Sequence, residues 1–468
     1  NGFAIFEGMP KVDEQTTPTR TLAASATRLS FAEIPVPVIQ RAKHHILDAI
    51  GLGFAAHTHD FAANTIAGVE AMGATGSCSV IGLKRRFEQR DSAMLNGILI
   101  HGLDFDDTLL ASIIHATATA FPAALAVAEQ VDASGEQLLT AFLLGAETAI
   151  RIGLAVDGGF HHVGYHATGV VSHFASAMTA GKLLGLDEDQ LVSAMGITGS
   201  TASGIQVFLE EGAWTKRFHP GWGAVSGITA AYLAQSGFKG PSRVYEGKFG
   251  LFDTHLHEPA KLAAMTGGLG EVWHFGETAL KPYPVCHFIH GCADAAIELF
   301  EEIGGAEIAA VTAFLPQPTL HIIAEPAEAK ERAATEYEAK FSAQHVVAAC
   351  LLRGRFNLPD LLPEALADPA VRGLALRVTC LADPDSAFPE FFSGGVEVRL
   401  ADGRVLTRHV RVNSGAGERA MGAEQVRAKF KASASLAIGE AQAEAIAEAV
   451  LDLESISARQ LARLLRKA

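Results

Sequence analysis

A helical pattern runs through the first half of the chain, from about residue 22 to residue 235. Apolar residues recur at three- and four-residue spacing over 38–56, and Gly135 to Val156 reads as one long buried helix. The segment 168–184 is rich in Ala, Ser and Gly, so neighbouring helices can approach closely there. The pattern predicts an all-α first domain, packed through small residues.

The pattern changes near Phe275. Five short runs beyond it are predicted strands: 311–315, 319–323, 375–382, 395–400 and 405–412. Asp402-Gly403 lies between the last two and predicts a hairpin with a type I′ turn. Helical segments intervene and follow: 287–302, 342–353 and 423–467.

We therefore predict a mainly α fold with two domains. A large all-helical domain is built from both chain ends, residues 20–275 and 413–468, and a smaller α+β lid domain, residues 276–412, is inserted between them. At 468 residues the chain is too long for one ordinary core, which favours this division.

Composition limits the classes of function. A content of 49% hydrophobic and 19% charged residues favours a well-buried soluble enzyme, and a net charge of −15 argues against a nucleic-acid partner. The five cysteines form no CxxC pair, which favours a reducing, cytoplasmic location. We expect no membrane span, because no run reaches about 18 uncharged apolar residues, and residues 1–8 lack the features of a signal peptide.

Three carboxylates fall within four residues, at Asp104, Asp106 and Asp107. Carboxylates this close hold a cation, cap a helix or orient a proton-transfer group, because otherwise they repel one another. The pattern Asp-x-Asp-x-Thr, ending at Thr108, matches the nucleophile loop of magnesium-dependent phosphatases, but that loop follows a parallel strand and here the preceding segment is helical. A magnesium site for a diphosphate also lacks its second acidic motif. We expect Asp104 and Thr108 to face a site, and Asp106 and Asp107 to cap a helix and position the loop.

Histidines cluster at His161, His162 and His166, between glycines that bracket a tight loop. Their spacing does not suit zinc, which favours two histidines four residues apart on a helix plus a third ligand. We expect His166, which comes just before a helix, to be functional, and the other two to be structural.

Further candidate site residues are three basic side chains and the residues at a second junction between a loop and a helix. Lys216 and Arg217 are adjacent in an acidic protein, which predicts a carboxylate clamp with Arg217 as the less certain member. Pro282 and Pro284, which follow Lys281, restrict the backbone to an extended conformation, and this conformation is predicted to expose the Lys281 ammonium to the site. Ser342 is typical of a helix N-cap, with His345 in the first turn that follows.

Taken in order, these motifs resemble the MmgE/PrpD family, which includes 2-methylcitrate dehydratase, cis-aconitate decarboxylase and iminodisuccinate epimerase. The resemblance covers roughly residues 25 to 430 and is carried by 96–97, 101–108, His115, 164–166, 215–221, 281–284 and 340–342. It implies a helical domain from both chain ends with an inserted α+β lid, a homodimer, small di- or tricarboxylate substrates, and no metal or organic cofactor. Two departures are Ala116, where the family often has proline, and His345, where cis-aconitate decarboxylase has tyrosine.

The resemblance implies an acid/base lyase, and we expect first a hydro-lyase of the 2-methylcitrate dehydratase type. The alternatives are a decarboxylase or epimerase of the same family, a magnesium-dependent phosphatase, or a carboxylate-binding protein without catalysis. The expected catalytic residues are Asp104, His115, His166 and Lys216, and the expected substrate-binding residues are Thr108, Arg217, Lys281 and His345. His115 and His166 would form the acid/base pair, with Asp104 orienting one imidazole or stabilising its cation.

Overall fold

The computed structural model describes residues 17–73 and 75–467, so the expectation for residues 1–8 lies outside the described part. The prediction of a mainly α fold is confirmed. The helices before residue 270 are α1 Pro18–Arg28, α2 Val36–Ala55, α3 Asp60–Met72, α4 Gln89–His101, α5 Ala116–Val131, α6 Gly135–Val156, α7 Gly159–Val163, α8 Ala167–Leu183, α9 Glu188–Thr198, α10 Phe208–Glu211, α11 Thr215–Gln235, α12 Leu251–His255 and α13 Ala263–Thr266. Three short strands accompany them: β1 Thr75–Ser79, β2 Arg86–Phe87 and β3 Asp107–Thr108.

Helix α6 lies in the middle of the first core. Ser134 caps it and forms a capping box with Gln137, and Glu147 accepts a hydrogen bond from Arg151 at 2.9 Å one turn later. By length and composition this helix could cross a membrane, but 83% of its most apolar window is buried. Helices α5 and α8 pack against it, so the protein itself covers its apolar surface.

Small residues allow α11 to approach α4 and α8 closely, as the sequence predicts. A Cβ on Gly97 of α4 would lie 2.6 Å from the Cα of Gly221 on α11. A Cβ on Gly227 would lie 2.5 Å from the backbone nitrogen of Ala177 on α8. This packing fixes the first turn of α11, which carries Lys216, against the end of α4, which leads into the acidic stretch.

The second half of the chain contains most of the strands. Its elements are β4 Ala279–Leu280, α14 His290–Ile303, β5 Ile308–Leu315, α15 Leu320–Ile323, α16 Ala327–Lys330, α17 Glu336–Lys340, α18 Ala343–Arg353, α19 Pro363–Leu366, α20 Pro369–Ala375, β6 Val378–Ala382, β7 Gly394–Leu400, β8 Val405–Val410, α21 Ala423–Ala434, α22 Glu440–Leu451 and α23 Ala458–Leu464. One sheet has the order β6-β5-β7-β8, in which β5 and β6 are parallel and the other pairs are antiparallel. Helices α14 and α18 pack on this sheet.

Two sequence expectations in this half are wrong. The predicted strand 319–323 is a 3₁₀ turn, Gln317–Thr319, followed by α15. Pro318 favours that outcome because its fixed φ suits a first helical turn. The hairpin of β7 and β8 forms, but its turn is not type I′: Gly403 has φ +91°, while Asp402 does not have a positive φ.

Three hydrophobic cores divide the described residues, and the smallest, around α3 and α4, includes Phe61, Leu95 and Phe105. The first core contains side chains from most of the helices α1 to α13 and also from α21 to α23, so both chain ends contribute to it. The second contains side chains between residues 279 and 416, together with Leu110. The domain boundaries given above stay predictions. Strands β3 and β4 pair across the two halves, with Asp107 opposite Leu280, and this pairing brings Lys281 beside the acidic stretch.

Candidate active site

A cavity of about 220 Å³ is lined by residues from both halves of the chain. Six of the eight residues predicted for the site line it: Asp104, Thr108, His115, His166, Lys216 and Lys281. The second half of the chain adds an apolar wall that includes Phe288, Phe388 and Phe392. The cavity therefore joins charged groups, imidazoles and aromatic rings from separate segments of the chain.

Asp104 is bound by two ammonium groups. Lys216 Nζ donates to its Oδ1 at 2.7 Å, and Lys281 Nζ donates to the same oxygen at 2.9 Å and to the Asp104 carbonyl at 2.8 Å. Asp104 follows α4 with φ +53°, a left-handed conformation that turns its carbonyl and carboxylate toward the same lysine. Burial would raise the pKa of this carboxyl, but the two lysines hold the pKa well below its usual range.

Asp106 lies between two imidazoles. Its Oδ2 accepts a hydrogen bond from His101 Nδ1 at 2.8 Å, and its Oδ1 lies 3.1 Å from His115 Nδ1, at an angle that does not give a straight hydrogen bond. Burial opposes ionisation of Asp106, yet the two histidines lower its pKa below the ordinary value. Asp104 does not orient the His115 imidazole by a hydrogen bond, because its Oδ1 lies 4.0 Å from His115 Nε2. The alternative, that its charge stabilises the imidazolium, stays a prediction. The expectation that Asp106 caps a helix is wrong.

Asp107 caps a helix, as the sequence predicts. Its carboxylate accepts from the backbone nitrogen of Thr117 at 3.1 Å and from the Thr117 hydroxyl at 2.5 Å, in the first turn of α5. His45 on α2 donates to it from Nδ1 at 2.8 Å. The next residue, Thr108, lines the cavity, and its buried hydroxyl has no hydrogen-bond partner among residues 17–73 and 75–467.

His166 stands at the N-terminus of α8 and contacts a second histidine. Its backbone nitrogen donates to the Gly204 carbonyl at 2.7 Å, which fixes the loop before the helix. Its Nδ1 lies 2.9 Å from Nδ1 of His219, on the first turns of α11. Burial lowers the pKa of His166 well below the ordinary value and that of His219 to about 4, so both rings are neutral near neutral pH.

Two family models match the chain: the MmgE/PrpD N-terminal domain over residues 20–262 and the MmgE/PrpD C-terminal domain over residues 283–455. The chain belongs to the MmgE/PrpD family. A cis-aconitate decarboxylase-like protein of Aspergillus oryzae, oryM, is 28% identical over 460 residues, which cover 93% of this chain and 94% of the relative. The cis-aconitate decarboxylase of Homo sapiens is 27% identical over 446 residues, with 94% and 92% covered. The 2-methylcitrate dehydratase of Cupriavidus necator is 25% identical over 446 residues, with 89% and 90% covered.

Two predicted residues of this MmgE/PrpD protein do not line the cavity. The guanidinium of Arg217 stacks over the ring of Phe61 at 4.3 Å and lies 3.7 Å from Glu336. The ring of His345 packs edge-on to Phe356, with centroids 6.4 Å apart, and its pKa is lowered to about 4 by burial first and by nearby arginines second. The structure gives neither of them access to a ligand in the cavity.

Several histidines that the sequence reasoning passed over do belong to this region. His161 and His162, read as structural, line the cavity together with His287 and His321. His101 does not line it but bonds Asp106, and its pKa is lowered to about 4, mainly by burial. A usable signal existed for His219: it follows Lys216 by three residues, and on a helix this spacing places both on one face.

Among the residues that the structure describes, two sets of side chains have possible metal-ligand atoms within 4.8 Å of one another: His101, His115 and His166, and Asp104, Asp106 and His115. In the second set, Asp104 already accepts from two ammonium groups, and a metal ion would compete with those charges. The first set carries no carboxylate of its own, and Lys216 stands close by. The arrangement therefore fits anionic groups better than a cation, and the expectation of no metal and no cofactor stays a prediction.

Proposed function

We propose that this protein is a lyase that acts on a small di- or tricarboxylate by acid–base catalysis. The observation that carries the proposal is the convergence of Lys216, Lys281, His115 and His166 on one cavity. Such a reaction builds negative charge on a carboxylate beside the reacting carbon, and ammonium groups aimed at that carboxylate stabilise the charge. The relatives named above, a cis-aconitate decarboxylase, a cis-aconitate decarboxylase-like protein and a 2-methylcitrate dehydratase, support this class of reaction.

Both lysines retain hydrogen-bond capacity for a substrate. An ammonium has three N–H groups, and within the described residues Lys216 uses one, on Asp104, while Lys281 uses two. The remaining N–H groups can bind a substrate carboxylate. Asp104 has the role of fixing both ammonium groups in the absence of substrate, since its single oxygen Oδ1 accepts from both.

The two imidazoles supply the proton chemistry. His115 and His166 have ring centroids 6.1 Å apart, a separation that admits a reacting carbon between them. Nδ1 of His115 lies 3.1 Å from the Asp106 carboxylate, and its Nε2 lies 4.0 Å from Asp104, which lines the cavity. A neutral imidazole near neutral pH can accept or deliver a proton, and such proton transfer contributes about 10²–10⁴ in rate.

The apolar wall makes loss of carbon dioxide the first candidate reaction. Phe288, Phe388 and Phe392 line the side of the cavity that belongs to the second core. A carboxylate against aromatic rings is poorly solvated, and its release as carbon dioxide removes that unfavourable charge. The cis-aconitate decarboxylases among the relatives support the same choice.

Loss of water is the second candidate, and Thr108 is the observation that favours it. Its hydroxyl is free to bind a hydroxyl group of the substrate beside Asp104. A substrate of the 2-methylcitrate type carries such a hydroxyl, and one relative is a 2-methylcitrate dehydratase. The residues needed are the same in both reactions, which differ in the group that leaves.

The test is a panel of polycarboxylates followed by proton NMR in deuterated water, with protein treated exhaustively with EDTA. Cis-aconitate, 2-methylcitrate and citrate are offered separately. Carbon dioxide release with deuterium uptake supports the first candidate. A vinylic proton signal from citrate, or a methyl signal of 2-methylcitrate that changes from a doublet to a singlet, supports the second. Turnover that needs added Mg²⁺, or release of phosphate from a phosphoester panel, contradicts the proposal in favour of the phosphatase alternative.

A further inference from the structure

The pair His166 and His219 stands between two pockets. His166 lines the cavity described above, and His219 lines a second pocket, about 410 Å³ in volume, together with Ser203 and the exposed side chains of Phe218 and Trp222. The Nδ1 atoms of the two rings are 2.9 Å apart. One direct hydrogen bond therefore connects the cavity with a pocket at the protein surface.

This contact couples the protonation states of both rings. Two Nδ1 atoms at hydrogen-bond distance must share one proton, so one ring donates and the other accepts. In neutral rings the donor has a bare Nε2, and the acceptor carries its proton on Nε2. Neither Nε2 has a hydrogen-bond partner within the described residues, so each is available to water or a ligand in the pocket that its ring lines.

The surroundings oppose a charged imidazole at this position. The ionisable groups close to His219 are His166, His101, His173 and Lys216, all of them neutral or cationic. A neutral His166 that gives up its Nε2 proton would become an anion, unless its Nδ1 gains a proton at the same time. His219 is the residue placed to supply that proton.

We propose that His219 is a proton relay that carries a proton from the second pocket to His166 during catalysis. The inference rests on the proposed function. In the loaded state His219 carries a proton on Nδ1 and His166 carries one on Nε2. When the substrate loses carbon dioxide, the electron pair of the broken C–C bond takes the proton from His166 Nε2 and forms a C–H bond. The His219 Nδ1 proton passes to His166 Nδ1, and water in the second pocket gives a proton to His219 Nε2. The hydroxide that this leaves is neutralised by exchange with bulk solvent.

The balance of this step is one proton taken up for each carbon dioxide released. Both rings stay neutral and exchange tautomers. After the product leaves, water enters the cavity and protonates His166 Nε2, and the same hydrogen bond carries a proton back so that His219 Nε2 releases one to the second pocket. The relay thus delivers a proton while substrate fills the cavity, and the free enzyme restores the starting tautomers.

Chemical rescue tests the relay. His219→Ala should lower kcat about 100-fold, with KM changed less than about threefold, because proton delivery and not substrate binding is lost. Added imidazole, which can enter the second pocket, should restore at least about a tenth of the wild-type kcat with saturation. His219→Gln keeps a hydrogen-bonding side chain but cannot pass a proton, so it should stay as slow as the alanine variant. Half of the wild-type rate or more in His219→Gln, or no response of His219→Ala to imidazole, overturns the relay.

His173→Asn is the matched control. His173 lines the same pocket but contacts Thr201, at 3.2 Å, instead of His166. Its kcat should stay within about threefold of the wild type and should not respond to imidazole. A rescue of this variant equal to that of His219→Ala overturns the assignment to His219.

Nitrogen-15 NMR of the wild-type protein tests the hydrogen bond without any variant or substrate. One Nδ1 of the pair should be protonated and the other bare, with a scalar coupling between them. Two rings that both carry their protons on Nε2, without coupling, overturn the relay. If the wild type turns over no polycarboxylate, the proposed function fails, and this spectrum still decides whether the two rings share a proton.

Discussion

Asp106 accepts a hydrogen bond from His101 at 2.8 Å, while the next carboxylate along the chain, Asp107, faces the other way toward His45. Asp106→Asn should therefore lower kcat about 100-fold, because an amide cannot hold the His101 ring in the same tautomer and lacks the negative charge that lies 3.1 Å from His115 Nδ1. Asp107→Asn should keep kcat within a few-fold but lower the free energy of unfolding by about 1–3 kcal/mol through loss of the cap on Thr117. Steady-state kinetics and denaturant unfolding of both variants measure the difference, and an equal loss of kcat contradicts the assignment.

His166 and His345 provide a second contrast. His166→Asn should lower kcat by about 10²-fold or more with a smaller change in stability, because its ring faces the cavity. His345→Asn should keep kcat/KM within about threefold, since its ring packs on Phe356 away from that cavity. Kinetics and thermal unfolding on the same preparations give both readings. A large loss of melting temperature in His166→Asn with unchanged kcat would restore a structural role for that histidine.

The ion pair of Lys429 and Asp48 ties the last part of the chain to the acidic stretch. Lys429 Nζ lies 2.8 Å from Asp48 Oδ1 and donates to the Phe105 carbonyl at 2.7 Å. Lys429→Met should cost about 3–5 kcal/mol of unfolding free energy, because it leaves the buried Asp48 without a partner. The double variant Asp48→Asn/Lys429→Met should recover part of that loss. Urea unfolding of the single and double variants measures the coupling, and additive effects would show that the pair does not act as a unit.

Acid should lower the free energy of unfolding already at pH values above the usual pKa of carboxyl groups. Burial is the first cause of a low pKa for several histidines in and around the site: about 4 for His45, His101, His161 and His219, and about 3 for His173. An unfolded histidine has a pKa of about 6.5, so below that pH the unfolded chain binds protons that the folded chain does not. The stability is therefore fully present above pH about 6.5 and is lost as the pH falls toward about 4. Denaturant unfolding at about pH 7.5, 6 and 5 measures it, and an unchanged unfolding free energy would contradict the burial of neutral rings.

Much of the helical framework follows from local sequence. The bounds of α6 match the prediction because Ser134 and Gln137 form a capping box and a long apolar pattern follows. Residues 319–323 were misassigned because their alternation resembles a strand, whereas two preceding prolines begin a helical turn. In such a short segment the backbone restriction of proline decides the structure, and hydrophobic periodicity is a weak signal.

The sequence predicts which residues lie in the site better than it predicts the hydrogen bonds between them. Asp104, Lys216 and Lys281 lie together, as the sequence predicts. The left-handed turn at Asp104 determines that this carboxylate, and not Asp106, accepts hydrogen bonds from the lysines. That turn is not encoded in a motif of residue types. The direction of His345 likewise depends on how α18 packs against Phe356, a tertiary contact that sequence spacing does not report.

The most direct test of the central claim is an NMR time course in deuterated water with cis-aconitate or 2-methylcitrate, run on the wild type beside Lys216→Met. Without added metal, the wild type should form either a decarboxylated product that carries deuterium from cis-aconitate, or an unsaturated dehydration product from 2-methylcitrate. Lys216→Met should form at least about 100-fold less, because it removes an ammonium that binds the developing charge. Equal turnover by both proteins, or no exchange and no product from any polycarboxylate with the wild type, would contradict the account.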